Sequence, residues 1–217
     1  NSMVCVGGIT ITNTTTFKWL ATRDYYAPQY ATNTYTWVPG ITLSPAAGTF
    51  SNATTFALST LAPGAQLLYS TNTTDWCAYT GPILMDGFNA GTGTLRASYT
   101  NANGSGPTNS FTINFAAAAP QVSPENRTVY SNLTVTAATP TVNASIYYSL
   151  GSSGYDTVNL SNLYTSVLTI TNRSFLTFQA RKGGYQNSAI VQRKYIQKLP
   201  APTQLTTGDF TNWATAF

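Results

Sequence analysis

Residues 132–136 read Asn132-Leu133-Thr134-Val135-Thr136. Polar and apolar side chains alternate, and in a strand residues i and i+2 share a face. Leu133 and Val135 therefore turn toward a core, and Asn132, Thr134 and Thr136 toward water. The same period recurs along the chain: Ile9-Thr10-Ile11-Thr12, Leu67-Leu68-Tyr69-Ser70, Phe111-Thr112-Ile113-Asn114-Phe115, Ile146-Tyr147-Tyr148-Ser149 and Leu176-Thr177-Phe178-Gln179. These runs are short and rich in Thr, Tyr, Val and Phe. Gly, Pro, Asn and Ser separate them, and helical periodicity is nearly absent. That is the pattern of an all-β protein built as a sandwich of short strands.

The runs repeat. Ser44-Pro45 matches Ser123-Pro124, and Leu68-Tyr69-Ser70 matches Tyr147-Tyr148-Ser149. Tyr79-Thr80 before Ile83 matches Tyr164-Thr165 before Leu168, and Thr94-Leu95-Arg96-Ala97 matches Thr177-Phe178-Gln179-Ala180. Each copy is long enough for a small sandwich. The expected organisation is an N-terminal extension (1–40), a first sandwich (41–117), a second sandwich (118–198) and a C-terminal segment (199–217). Ala116 to Pro120 reads as a short linker, and Leu199-Pro200-Ala201-Pro202 reads as the opening of a third repeat.

The order Ser-Pro, strand, Tyr-Ser, Tyr-Thr-x-x-Ile/Leu, Leu/Phe-x-Ala resembles the immunoglobulin-like (Ig-like) repeats related to the C-terminal domain of chitobiase and β-hexosaminidases, the fibronectin type III (Fn3)-associated family. Residues 44–50 fit the family's opening. Glu125-Asn126-Arg127-Thr128-Val129 depart from it, and neither copy has the family's Asp-Gly turn. The resemblance implies two tandem Ig-like or Fn3-like sandwiches without catalytic residues of their own.

Composition narrows the function. There is no histidine, so a Ser-His-Asp triad is excluded. Six acids against ten Lys and Arg leave a net charge of +4. The acids stand singly, with neither the clustering a calcium loop needs nor a motif pairing carboxyls for glycoside hydrolysis. Two Cys and scattered acids do not make a zinc site. No catalytic, metal or cofactor residue is assigned. The basic residues form no Lys/Arg stripe, which argues against nucleic acid. No run reaches the length of a membrane span. Charged residues are 7% of the chain, against roughly 25% in ordinary soluble domains. Attached glycan or burial in an assembly would supply the missing solubility.

Asn-x-Ser/Thr triplets, the acceptors for N-glycosylation, begin at Asn13, Asn52, Asn72, Asn103, Asn126, Asn132, Asn143, Asn159 and Asn172. They take up nine of the 18 asparagines, where the Ser and Thr content alone would give about five. Because Asn and Ser/Thr are i and i+2, such triplets can decorate the wet face of a strand without touching its core. The expectation is an extracellular, secreted or cell-surface glycoprotein. Cys5 and Cys77 would pair there as a disulfide; the alternative is two free thiols.

The ends supply the partner reading. Val4, Val6, Ile9 and Ile11 lie along a period-2 run that could be donated to an adjacent copy, giving a head-to-tail homopolymer. The alternative is that both ends fold back on their own chain. An aromatic stretch follows, from Phe17 to Trp37. A second function fits the same residues: a carbohydrate-binding or adhesive module in which Trp19, Trp37, Trp76 and Trp213 stack on sugar rings. The bland reading of these rings is core or interface.

Overall fold

The computed structural model describes residues 8, 9, 11, 14–72 and 74–198. Strands account for nearly all of its regular structure. Ahead of the repeats stand β1 (Thr15–Ala21) and β2 (Gln29–Tyr35). The first repeat holds β3 (Ile41–Ser44), β4 (Thr49–Phe50), β5 (Thr54–Thr60), β6 (Gln66–Ser70), β7 (Cys77–Ala78), β8 (Ile83–Met85), β9 (Thr92–Asn101), β10 (Gly104–Ser105) and β11 (Asn109–Phe115). The second holds β12 (Gln121–Ser123), β13 (Arg127–Val129), β14 (Leu133–Ala138), β15 (Ser145–Gly151), β16 (Asn162–Leu163), β17 (Leu168–Ile170), β18 (Ser174–Arg181) and β19 (Val191–Gln197).

The pairing is that of an Ig sandwich, repeated. In the first copy one sheet runs β3-β5-β8 and the other β4-β11-β9-β6-β7, with β10 against β9. In the second copy the sheets run β12-β14-β17 and β13-β19-β18-β15-β16. In Ig lettering both are A-B-E facing A′-G-F-C-C′, the first strand switching sheets part-way. The fold class is therefore all-β, with two Ig-like sandwiches. By packing, one unit comprises residues 1–86 and 92–114, and the other residues 87–91 and 115–217.

The matched residues do the same work in both copies. The Tyr79 hydroxyl accepts from the Leu58 amide at 3.1 Å, and the Tyr164 hydroxyl from the Ala137 amide at 3.1 Å. Each ties the segment just after edge strand C′ to strand B. Ser70 Oγ donates to the Asn72 carbonyl, and Ser149 Oγ to the Asp156 carbonyl, both at 2.6 Å. The two Ser-Pro bonds, at Pro45 and Pro124, are both cis.

Alternation sets the cores. Ile41, Leu43, Phe56, Leu58, Leu95, Ile113 and Phe115 are buried in strands β3 to β11. Val122, Val135, Ile146, Ile170, Leu176, Phe178 and Tyr195 form the core of the second copy. Tyr195 is wholly buried, yet its hydroxyl donates to the Pro124 carbonyl at 2.6 Å, so its polar end is satisfied. Burial raises its pKa above the ordinary tyrosine value.

Candidate assembly surface

Among the described residues the hairpin β1–β2 pairs with no other strand. Its register runs without a break from Thr15↔Tyr35 to Ala21↔Gln29. Phe17, Trp19 and Tyr35 lie on one face. The Phe17 and Trp19 rings stack at 5.5 Å between centroids, and Phe17 meets Tyr35 edge-on at 5.7 Å. Leu20 and Tyr30 face each other on the other side. At the tip, Arg23 lies 5.2 Å from the centre of the Tyr26 ring. Little of this is covered: Trp19 is 39% exposed, Tyr35 48% and Tyr30 76%. A two-stranded ribbon with no sheet behind it is marginal in water. Exposed aromatic area of this kind marks an interaction surface.

Where the hairpin meets the first sandwich there is a groove of about 330 Å³, lined among others by Trp37, Val38, Leu61, Pro63 and Tyr99. Thr14 Oγ1 accepts from the Trp37 amide at 3.1 Å and closes the base of the hairpin. Val38 and Leu61 are exposed there.

Strand edges differ sharply between the hairpin and the sandwiches. The sandwich sheets end in β3, β4, β7, β8, β12, β13, β16 and β17, each of two to four residues. Short edges protect a sheet against unwanted pairing. Both hairpin strands are edges, and each is seven residues long. The longest open strand edges among the described residues are therefore on the hairpin.

Eight of the nine glycosylation triplets have a described asparagine. Asn72, Asn103, Asn126, Asn132, Asn143, Asn159 and Asn172 are exposed, and Asn52 is half-buried; Asn13 lies outside the described residues. Leu133 and Leu160 turn inward between exposed polar neighbours, as the strand period requires. The triplet at Asn172 differs. Ser174 is buried, because it shares the inward face of β18 with Leu176 and Phe178, and its hydroxyl donates to the Asn172 carbonyl at 2.9 Å. Two asparagines already serve as acceptors: Asn72 Oδ1 for the Thr74 and Asp75 amides, and Asn126 Oδ1 for the Lys194 amide. The Asn72 side-chain nitrogen, the atom that would carry a glycan, donates to Asp75 Oδ2 at 2.8 Å.

Cys77 is a free, exposed thiol in β7, so the expected disulfide is not seen at this residue; Cys5 lies outside the described residues. Val4 and Val6 of the expected donor strand lie outside them too, while Ile9 (48% exposed) and Ile11 belong to no strand here. Trp19 is on the hairpin, Trp37 in the groove and Trp76 in the turn before β7, 41% exposed; Trp213 lies outside the described residues. These tryptophans do not form one row.

The five described acids occupy separate loops. Asp156 Oδ1 accepts from the Val158 and Asn159 amides, at 2.9 and 3.0 Å, and these bonds, the one from Asn159 foremost, hold its carboxyl below the usual range. That is a turn cap. Among the described residues no three His, Cys, Asp or Glu side chains gather as metal ligands, and no helix is long and apolar enough to cross a membrane.

Sequence reasoning found the aromatic stretch but not that it is a hairpin. The available signal was the alternation Thr15, Phe17, Trp19, Ala21, broken by Asp24 and Pro28 before Gln29 to Tyr35.

No family model and no curated protein matches the chain. Among solved structures it is similar to the fibronectin(III)-like modules of Clostridium thermocellum CbhA, at 11% identity and a TM-score of 0.31, over 76% of this chain and 98% of that one. It is similar to a putative membrane anchored protein from Corynebacterium diphtheriae, at 9% identity and 0.35, over 90% and 61%. The N-terminal four Ig domains of Dscam1 isoform 1.9 align at 12% identity and 0.31, over 74% and 46%. Superpositions this loose carry no argument about function; the strand order above stands without them.

Proposed function

We propose that this chain is a non-catalytic structural subunit of an extracellular, N-glycosylated assembly. Copies join head-to-tail by β-strand exchange, the run from Val4 to Thr12 passing to a neighbour. The observation that supports this best is the hairpin β1–β2. It exposes seven-residue edges and an aromatic face, and it follows that run directly in the chain. The seven exposed triplet asparagines support the glycan half of the reading. A chain with 7% charged residues gains hydration from sugars and loses exposed apolar area on assembly.

Two experiments check it. Enzymatic removal of N-glycans from protein secreted by a glycosylating host is expected to lower the intact mass; an unchanged mass contradicts the glycan half. Deleting residues 1–12 is expected to leave folded monomers where the full chain forms filaments by electron microscopy. Filaments of unchanged length would contradict strand exchange.

A further inference from the structure

Residues 199–217 carry a second match to the repeats that bears on what covers the hairpin. Gly208-Asp209-Phe210-Thr211-Asn212 aligns with Gly48-Thr49-Phe50-Ser51-Asn52. After one inserted residue, Trp213, Ala214-Thr215-Ala216-Phe217 aligns with Ala53-Thr54-Thr55-Phe56. The phase agrees as well. Buried Pro39 and Pro120 each stand just before strand A of their sandwich, and Pro200 stands at the same phase of the repeat.

In the first sandwich the aligned residues are β4 and the start of β5. Phe50 packs edge-on against Phe56 at 5.1 Å, and Phe56 is wholly buried beneath the opposite sheet. A segment with the same pattern needs an opposite sheet to cover Phe210 and Phe217. The hairpin is a sheet with the reverse deficit: open edges and an uncovered aromatic face.

We propose that residues 199–217 of one copy add to the β1–β2 hairpin of a second copy, so that the two build a further sandwich at each junction. This rests on the head-to-tail reading above. Three observations select that occupant. Within each sandwich, taken by itself, the chain arrives at one pole and leaves at the other. In the second copy β13 runs parallel to β19, Arg127 opposite Tyr195 and Val129 opposite Gln197. In the first, Ile41 bonds the Asn109 side chain at the start of β11, and Gly48 accepts from the Asn114 amide near its end. The hairpin thus precedes the arriving pole of the first sandwich, and residues 199–217 follow the leaving pole of the second.

Glycan placement agrees. No glycosylation triplet begins in residues 14–51 or 173–217, and Asn212-Trp213-Ala214 lacks the hydroxyl residue present in the aligned Asn52-Ala53-Thr54. These are the two longest stretches in which no triplet begins, the triplet Asn13-Thr14-Thr15 ending on the first residue of β1. Charge agrees too: Asp209 is the single charged side chain of 199–217, and the hairpin offers Lys18 and Arg23 beside Asp24.

The test uses two full-length variants. One carries Trp19→Ser and Tyr35→Ser in the hairpin; the other carries Phe210→Ser and Phe217→Ser. Trp19 and Tyr35 are exposed and the described cores of the two sandwiches are formed by other residues, so the circular dichroism of both variants is expected to match the parent. By analytical ultracentrifugation each variant alone is expected to associate about 100-fold more weakly than the parent, as for the loss of buried aromatic anchors. Mixed in equal amounts, they are expected to form dimers and nothing longer, since the intact hairpin of one meets the intact segment of the other. A mixture that stays monomeric, or variants that assemble like the parent, overturns the proposal. If the parent itself stays monomeric at all concentrations, the head-to-tail reading falls with it. If parent and variants all assemble equally, only this junction is wrong.

Discussion

Phe178→Ala is expected to lower the stability of the second sandwich by about 3–5 kcal/mol. Phe178 is wholly buried in β18. It lies 6.0 Å from the Tyr148 ring and 6.3 Å from that of Tyr164, between sheets that also contribute Leu176, Val135 and Ile170. Truncation removes an aromatic ring and leaves a cavity that these side chains, fixed by two hydrogen-bonded sheets, fill only in part. A domain has about 5–15 kcal/mol in total, so most of the margin would go. Urea unfolding followed by hydrogen exchange checks it: amides of β15, β18 and β19 should lose protection. A loss under about 1 kcal/mol would contradict the packing described for this ring.

A comparable effect is expected from Gly91→Ala, although it adds only a methyl group. Gly91 has φ +75°, a left-handed conformation that costs an L-residue energy. A Cβ there would meet the Gln186 backbone nitrogen and lie 2.7 Å from the Phe115 carbonyl oxygen. Those two atoms are joined by a hydrogen bond of 2.8 Å, which the methyl would push apart. The Gln186 carbonyl in turn accepts from the Ala117 amide at 2.9 Å. Strain and overpacking together should cost about 3 kcal/mol or more. Gly183→Ala is the control, since a Cβ at Gly183 meets nothing within 4 Å and its φ is not left-handed. It should change the urea midpoint little. Equal midpoints for the two variants would show that residues 87–91 do not pack as described.

Much of the fold was legible in local patterns. A period of two states which side chains face inward wherever one face of a strand is buried, and Val135, Ile113 and Phe178 are buried as their runs imply. The repeat was legible because Tyr79 and Tyr164 hold the same bond in both copies, and so stand at matching places in the sequence. The triplet at Asn172 does not sit on a wet face, because Ser174 shares a face with Leu176 and Phe178, which point into the core. What periodicity does not foretell is that the opposite face of β18 is covered as well, with Tyr155 edge-on against Phe175 at 5.1 Å and Arg173 and Lys194 over the same ring.

The sequence by itself determined the strand class, the duplication, the absence of histidine chemistry and the positions of the glycosylation triplets. Each of these is a matter of residue identity and short-range spacing. Only the tertiary structure decided that Phe17, Trp19 and Tyr35 share an uncovered face, and that the long open edges belong to the hairpin while the sandwich edges are short. Exposure and edge status depend on what the rest of the chain places beside a strand. The alternation within the strand is the same whether a second sheet covers it or not.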